Sequence, residues 1–300
     1  MKLLDTLLQR LHEPHDTAVR VDRIERSIEH LREAIGRIES RQSAALASPH
    51  LRDHEFKVFS QWGEDGILDH LVRHVAIPRP FFVEFGVETY REANTRFLLT
   101  QGGWQGLVIE SDADCIAAIR RDPICWRHHL AVAHSLVTRE NIDALLTQHG
   151  AAGPVGILSI DIDGNDYWVW EAITVAQPAI VVVEYNALFG PQRAVTVPYD
   201  PAFRREVAHW SQVYVGASLS ALAGLGRRKG YAFVGTNRAG NNAFFVQRER
   251  LPAGWRDITV EEGFTPAQFR EARNERGEVV HISAEDAAKL IAGLPMVEVP

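Results

Sequence analysis

Two apolar runs in this chain each end in a cluster of acids and amides. Gly156-Ile-Leu-Ser-Ile160 leads into Asp161-Ile162-Asp163-Gly164-Asn165-Asp166, and Ile180-Val-Val-Val183 leads into Glu184-Tyr185-Asn186. Unbroken Ile, Val and Leu runs suit strands buried on both faces, as in a parallel sheet covered by helices. Ligands of open α/β sheets sit outside the carboxyl ends of the strands. Asp161, Asp163, Glu184 and Asn186 are therefore expected to converge on one crevice. Carboxylates in an apolar frame are costly unless they bind something. All four side chains are oxygen donors, the set that hard cations such as Mg²⁺ prefer. A metal-free reading makes Asp161 or Asp163 a general base, with His129 or His134 nearby. A third reading leaves Asp163-Gly164-Asn165-Asp166 as a tight turn that caps the next helix.

The spacing of apolar and breaker residues predicts the elements that must position these side chains. Strands are expected at 80–86, 106–110 and 129–133, then in the runs ending at Asp161 and Glu184. Helices are expected at 94–101, 112–121, 141–149 and 218–229, the last stopped by Gly230. Strands at 231–236 and 242–246, joined by a turn with Gly240, should pair antiparallel. Five βα units and a hairpin imply a doubly wound, mostly parallel, seven-stranded α/β sheet with one antiparallel strand. In the tail, Thr265-Pro266-Ala-Gln268 reads as a helix start, and a second helix is expected at 284–292.

The 300 residues suffice for one large α/β domain plus an appendage, divided here as 1–48 and 49–300. A net charge of −7 gives no basic footprint for nucleic acid. Two cysteines, Cys115 and Cys125, make no disulfide framework, so a reducing cytoplasm is the expected compartment. No apolar run is long enough to span a bilayer. The first residues lack a cleavage site and do not read as a signal peptide. They suit a short amphipathic helix that touches a partner or a membrane surface, or one that simply packs.

Within 17–45, apolar residues recur at Val21, Ile24, Ile28, Leu31, Ile35 and Ile38, a 3, 4, 3, 4, 3 spacing. This is a coiled-coil seam, flanked by Glu25, Arg32 and Glu39, and its Ile content tilts the choice toward three or more strands. A homo-oligomer through 17–45 is expected. The alternative is a helix that packs on its own catalytic domain through the same stripe. Residues 43–50, with Pro49, read as a linker.

The first strand's turn is Glu84-Phe85-Gly86-Val87-Glu88-Thr89-Tyr90-Arg91. It has one glycine and two acids beyond the strand core. A dinucleotide turn needs several glycines so that the pyrophosphate can approach backbone amides. Carboxylates repel phosphate, so this turn suits a cationic or neutral ligand with a ribose. S-adenosyl-L-methionine has that character. Glu84 would order its amino-acid end, directly or through water. Glu110, ending the second strand, would accept both ribose hydroxyls; read alone, it is also a helix N-terminal acid.

Several stretches together resemble the FkbM-type group of class I methyltransferases. They are Ser60-Gln61-x-x-Glu64-Asp65-Gly66, Val83-Glu84-Phe85-Gly86, Asn94-Thr95, Gly103-Trp104-x-Gly106-Leu107-Val108-Ile109-Glu110, Ile160-Asp161-Ile162-Asp163-Gly164-Asn165-Asp166-Tyr167 and Asn242-Ala243-Phe244-Phe245-Val246. The resemblance spans about 57–248. It implies a Rossmann-like class I methyltransferase fold, S-adenosyl-L-methionine as donor and, often, a hydroxyl acceptor on a sugar or natural product. It implies cofactor contacts from Ser60, Gln61, Glu84, Gly86, Asn94, Glu110, Ser111 and Asp161, and catalysis by Asp161, Asp163 and Glu184. Related sugar methyltransferases place a divalent ion between strands four and five, which points to Asp161 and Glu184 as ligands, with Asp163 or Asn186 as a third. Two departures stand out. The first turn lacks the second and third glycines, and Asp163 stands where many such sequences have Glu.

Tyr90, Tyr167, Trp168, Trp170 and Tyr185 are expected to crowd the same rim, where aromatic faces suit sugar rings, with at least one in the core. Ser60, Gln61 and Glu64 would close over a ligand or cap a helix. His128 and His129 read as structural, and Cys125 has no base partner. The combined expectation is a cytoplasmic O-methyltransferase of a sugar hydroxyl, serving surface polysaccharide, glycolipid or glycosylated natural-product assembly. It could sit at a glycan-assembly complex or membrane surface. The alternatives are a non-sugar small-molecule or peptide acceptor, and a non-catalytic scaffold.

Overall fold

The computed structural model describes residues 2–268 and 271–300, with side chains placed at Thr17, at 19–21 and from Arg23 onward. The strands in chain order are β1 (Phe81–Phe85), β2 (Gln105–Glu110), β3 (Leu130–His134), β4 (Gly153–Ile160), β5 (Ala176–Glu184), β6 (Val195–Thr196), β7 (Tyr231–Thr236) and β8 (Asn242–Gln247). All but β6 form one seven-stranded sheet in the order β3-β2-β1-β4-β5-β8-β7. Strands β1 to β5 run parallel, and β8 lies antiparallel to both β5 and β7. This is a doubly wound, Rossmann-like α/β fold, as the alternation of apolar runs and helices required. Strand order reverses between β1 and β4, so the ligand crevice belongs at the carboxyl ends of those two strands.

Burial explains why the strands read as unbroken apolar runs. Every residue of β1 is buried, and so are the last six of β4. Val83 and Phe85 face a core containing Tyr167, Trp170 and Phe245. Phe82 points the other way, into a core with Leu68, Leu71 and Tyr90. Alternate residues thus serve opposite helix layers, as a pleated strand dictates.

The helices are α1 (Lys2–Ala44), α2 (Glu64–His74), α3 (Arg96–Gln101), α4 (Ala113–Arg121), α5 (Ile124–Arg127), α6 (Ile142–Gln148), α7 (Asp166–Ala172), α8 (Arg205–Ala208), α9 (Leu219–Arg228), α10 (Val260–Gly263) and α11 (Ala284–Ile291). Their ends follow local chemistry. Asp112 caps α4 by accepting from the Asp114 and Cys115 amides. Ser218 caps α9, and Gly230, at φ +85°, follows its end.

The tail departs from expectation. No helix forms at 265–268, and 269–270 lie outside the described residues. The Thr265 hydroxyl is bonded to that of Thr236 at 2.8 Å, so it does not cap a following turn. The capping box is instead Thr259 with Glu262, on α10. Beyond it, β9 (Glu271–Arg273) and β10 (Val279–His281) make an antiparallel hairpin, and β11 (Val297–Glu298) pairs with β6. The helix expected at 284–292 is α11. The helix expected within 17–45 is part of α1. The side chains of 1–16, for which a partner or membrane contact was considered, lie outside the described residues.

Candidate active site

The site starts where β1 and β4 end side by side. Gly86 sits at φ +69°, and a Cβ on it would run into the carbonyl oxygen of Asp161. Only glycine allows the two strand ends to approach this closely. Gly86→Ala is therefore expected to destabilise the protein by about 1–3 kcal/mol through overpacking at a left-handed position. Chemical denaturation would show this as a lower midpoint; an unchanged midpoint would disprove the close approach.

Asp161, Asp163 and Glu184 do converge, with one carboxylate oxygen from each lying within 4.8 Å of the others. Their residues are only partly exposed, and the carboxyl groups of Asp161 and Glu184 are enclosed by protein. Burial, then the neighbouring charge of Asp163, drives the Asp161 pKa well above the usual carboxylate range. Burial, then Asp161 itself, does the same to Glu184. Two carboxyls so placed cannot both ionise at moderate cost, so the doubly charged state is disfavoured.

Two groups hold this cluster. Asp166, fully buried, accepts from the amides of Ile162 and Gly164 and closes the loop after β4. The same loop carries Asp163 at φ +56°. Asp163 is thus in a tight turn and at the site together. Arg205, on α8, donates to Asp163 at 2.6 Å. Its Nε is buried with no hydrogen-bond partner among the described residues. Sequence reasoning passed over Arg205, because one Arg in an unpatterned loop carries no local signal.

The expected contribution of Asn186 looks different in the structure. Its amide nitrogen donates to the carbonyls of Val213 and Val215, and its oxygen accepts from the Leu188 amide. It shapes the loop after β5 and stands beside the acid cluster with its polar atoms spent on backbone.

On the other side of the crevice, Glu110 is 8% exposed. Its Oε1 accepts from Ser111 and Asp112, whereas its Oε2 takes one donor, the Glu88 amide at 2.8 Å. Oε2 keeps a lone pair for a hydroxyl, which fits a ribose. Ser111 lies in the same turn. Glu84 is 4% exposed and committed to the Asn94 amide and to the amide and hydroxyl of Thr95. It ties the start of α3 to β1. Asn94 reaches across to the Ser159 hydroxyl at 3.1 Å.

Ser60 belongs to a buried knot. One oxygen of Asp65 accepts from the amides of Val58, Phe59 and Ser60 and from the Ser60 hydroxyl. Glu64 takes the side-chain amides of Asn237 and Asn242 and so locks α2 to the β7–β8 hairpin. Gln61 is exposed beside this knot. Sequence reasoning missed Asn237, although the run Asn237-x-x-x-Asn241-Asn242 was a visible cluster of amides.

Three expectations need correction. The aromatic rim is mostly absent: Tyr90, Tyr167 and Trp170 are buried in the core, while Tyr185, though buried, lines the pocket beside the acids. Large rings contribute most to the core, and α7 must bury one face to stay on the sheet. Trp168 is partly buried and donates to the Val197 carbonyl. His129 precedes β3 and lies at the amino edge of the sheet, away from the acids. His134 ends β3, three strands from β4, and bonds to the Ser111 carbonyl. Neither serves Asp161.

A pocket opens beside the acids. Asp163, Glu184 and Arg205 form its polar side, while Val213, Ile282 and Ala287 contribute apolar wall. The tail, which sequence reasoning left without a role, thus supplies part of the wall.

No family model and no curated protein matches the chain. Solved structures do align with it. The N-terminal domain of EvdMO1 with SAH bound is 10% identical at a TM-score of 0.40, covering 70% of this chain and 94% of that one. An S-adenosylmethionine-dependent methyltransferase from Clostridium acetobutylicum is 7% identical at 0.39, covering 61% and 89%. The CurJ carbon methyltransferase is 8% identical at 0.40, covering 66% and 57%. Likeness at this level carries no weight for the chemistry, which rests on the residues above.

Proposed function

We propose that this chain is an S-adenosyl-L-methionine-dependent O-methyltransferase that acts on a sugar hydroxyl of a polysaccharide, glycolipid or glycosylated natural product. What carries the reading is the close pair Asp161 and Glu184, whose pKa values burial and mutual repulsion raise, with Glu184 lining the pocket. A sugar hydroxyl holds its proton far above neutral pH, so its methylation needs a base at the acceptor oxygen. A carboxyl pair with a raised pKa is matched to that task. The bound cofactor would supply a methyl group on a sulfonium leaving group. Asp161 and Glu184 would take the proton from the acceptor, and Arg205 would hold Asp163 and the loop in place. Glu110 would fix the ribose.

Asp163 and Glu271 line the pocket with Arg205, whose charge Asp163 offsets, and this balance supports a neutral acceptor. Cys115 and Cys125 are free, which agrees with a reducing cytoplasm. No helix among the described residues is long and apolar enough to cross a membrane.

Calorimetric titration of S-adenosyl-L-methionine into the purified protein tests the reading. Glu110→Ala should weaken binding roughly tenfold or more, the worth of a charge-assisted contact. Unchanged affinity would remove Glu110 from the site. No binding by the wild-type chain would favour the scaffold reading.

A second reading places a divalent cation on Asp161, Asp163 and Glu184, whose oxygens are close enough to share one ion. Such an ion would lower the pKa of the acceptor hydroxyl. Turnover abolished by chelation, with cofactor binding intact, would select the cation. Turnover indifferent to chelation would select the carboxyl pair.

A further inference from the structure

Helix α1 has two faces of opposite character. One meets the catalytic domain through Glu29, Gly36, Ser40 and Ser43, at helical spacing. Glu29 accepts from Arg96 at 2.6 Å. A Cβ on Gly36 would run into Val58 and Phe97, so helix and domain touch there. Ser40 donates to Asp69 at 3.0 Å and accepts from Arg73, and Ser43 meets His54 at 2.9 Å. This contact is made of small and polar residues.

The apolar seam is on the other side. Val21, Ile24, Ile28, Leu31, Ile35 and Ile38 are all exposed, from 48% at Val21 to 63% at Leu31. The helix therefore does not pack on its own domain through this stripe. The anchoring contacts turn it outward. Six large apolar side chains in one continuous row exceed what scattered surface residues explain.

We infer that this row is an interface between copies of the chain, which assemble through α1 as a parallel coiled coil. The 3-4 spacing is that of a seam whose partner has the same spacing. Charges fit the parallel register. Arg20 precedes the first seam residue and faces Glu25 of the next copy, and no like charges meet along the flanks. An antiparallel register sets Arg20 against Arg41, which offsets what Arg32 and Glu25 gain. Parallel assembly gathers the catalytic domains at one end of the bundle, each held by the outer face of its own helix.

Light scattering on the full chain tests this. The expected mass is at least twice that of one chain, and Ile28→Asp with Leu31→Asp should return it to one. Both positions are solvent-exposed in the single chain, so the folded domain and its thermal unfolding should be unaffected. Leu31→Cys should cross-link copies under mild oxidation, with wild type as control, because Leu31 meets its own equivalent only in the parallel register. A monomeric wild type would overturn the inference and point to a different protein as occupant of the seam. An oligomer that survives both Asp substitutions would also overturn it, and no cross-link at Leu31→Cys would overturn the parallel register.

Discussion

Asp161→Asn is expected to lower methyl transfer by about 10²–10⁴-fold, the usual worth of a general base. Affinity for S-adenosyl-L-methionine should fall far less, because Asp161 would be one cofactor contact among several, with Glu110 at the end of another strand. Release of S-adenosyl-homocysteine measures the effect, with the acceptor found by screening nucleotide sugars and glycans. Glu184→Gln should behave alike. The double variant should lose little more than either single one, because the two carboxyls act as a unit on one proton. Stability should move the other way. Burial and like charge push both groups up, so removing one relieves a cost that function maintains. Asp161→Asn should therefore melt no lower than wild type at pH 8. A variant that keeps full activity would exclude Asp161 as base.

Glu84 carries the second large effect. Burial raises its pKa from 4.5 to about 7, against the opposing hydrogen bonds from Thr95 and Asn94. A carboxyl whose folded pKa lies above its unfolded one binds more protons when folded. Its stabilising contribution is complete below about 4.5 and is lost as pH rises through about 7. The sign is opposite to that of a salt-bridged surface carboxylate. The difference across this window is on the order of 3 kcal/mol. Asp65, pushed up to about 6 mainly by burial, adds a smaller contribution of the same sign. Glu84→Gln cannot titrate, so its unfolding midpoint should depend less on pH between 4.5 and 7. If thermal melts of variant and wild type run parallel across that range, the raised pKa is wrong.

Much of the architecture was legible because strands buried on both faces must read as continuous apolar runs. The runs ending at Asp161 and Glu184 announced β4 and β5, and the Gly240 turn announced the β7–β8 hairpin. The acids at the strand ends were legible too, since a charge that closes an apolar run stands out. The tail was not. Thr265-Pro266 has the right residues for a helix start, but the Thr265 hydroxyl is taken by Thr236, a partner 29 residues away.

The sequence by itself determined the doubly wound sheet, the convergence of Asp161, Asp163 and Glu184, and the apolar seam of the arm, because each follows from residue spacing along one element. Only the tertiary structure decided what those residues are free to do. It spent Asn186 on the carbonyls of Val213 and Val215, Ser60 on Asp65 and Glu84 on Asn94 and Thr95, and it brought Arg205 to Asp163 from 42 residues away. It buried four of the five aromatic residues expected at the rim and turned the seam outward. Spacing states which side chains share a face. Which of their polar atoms remain unspent is a question of hydrogen-bond partners distant in the chain, and that is settled only when the chain is packed.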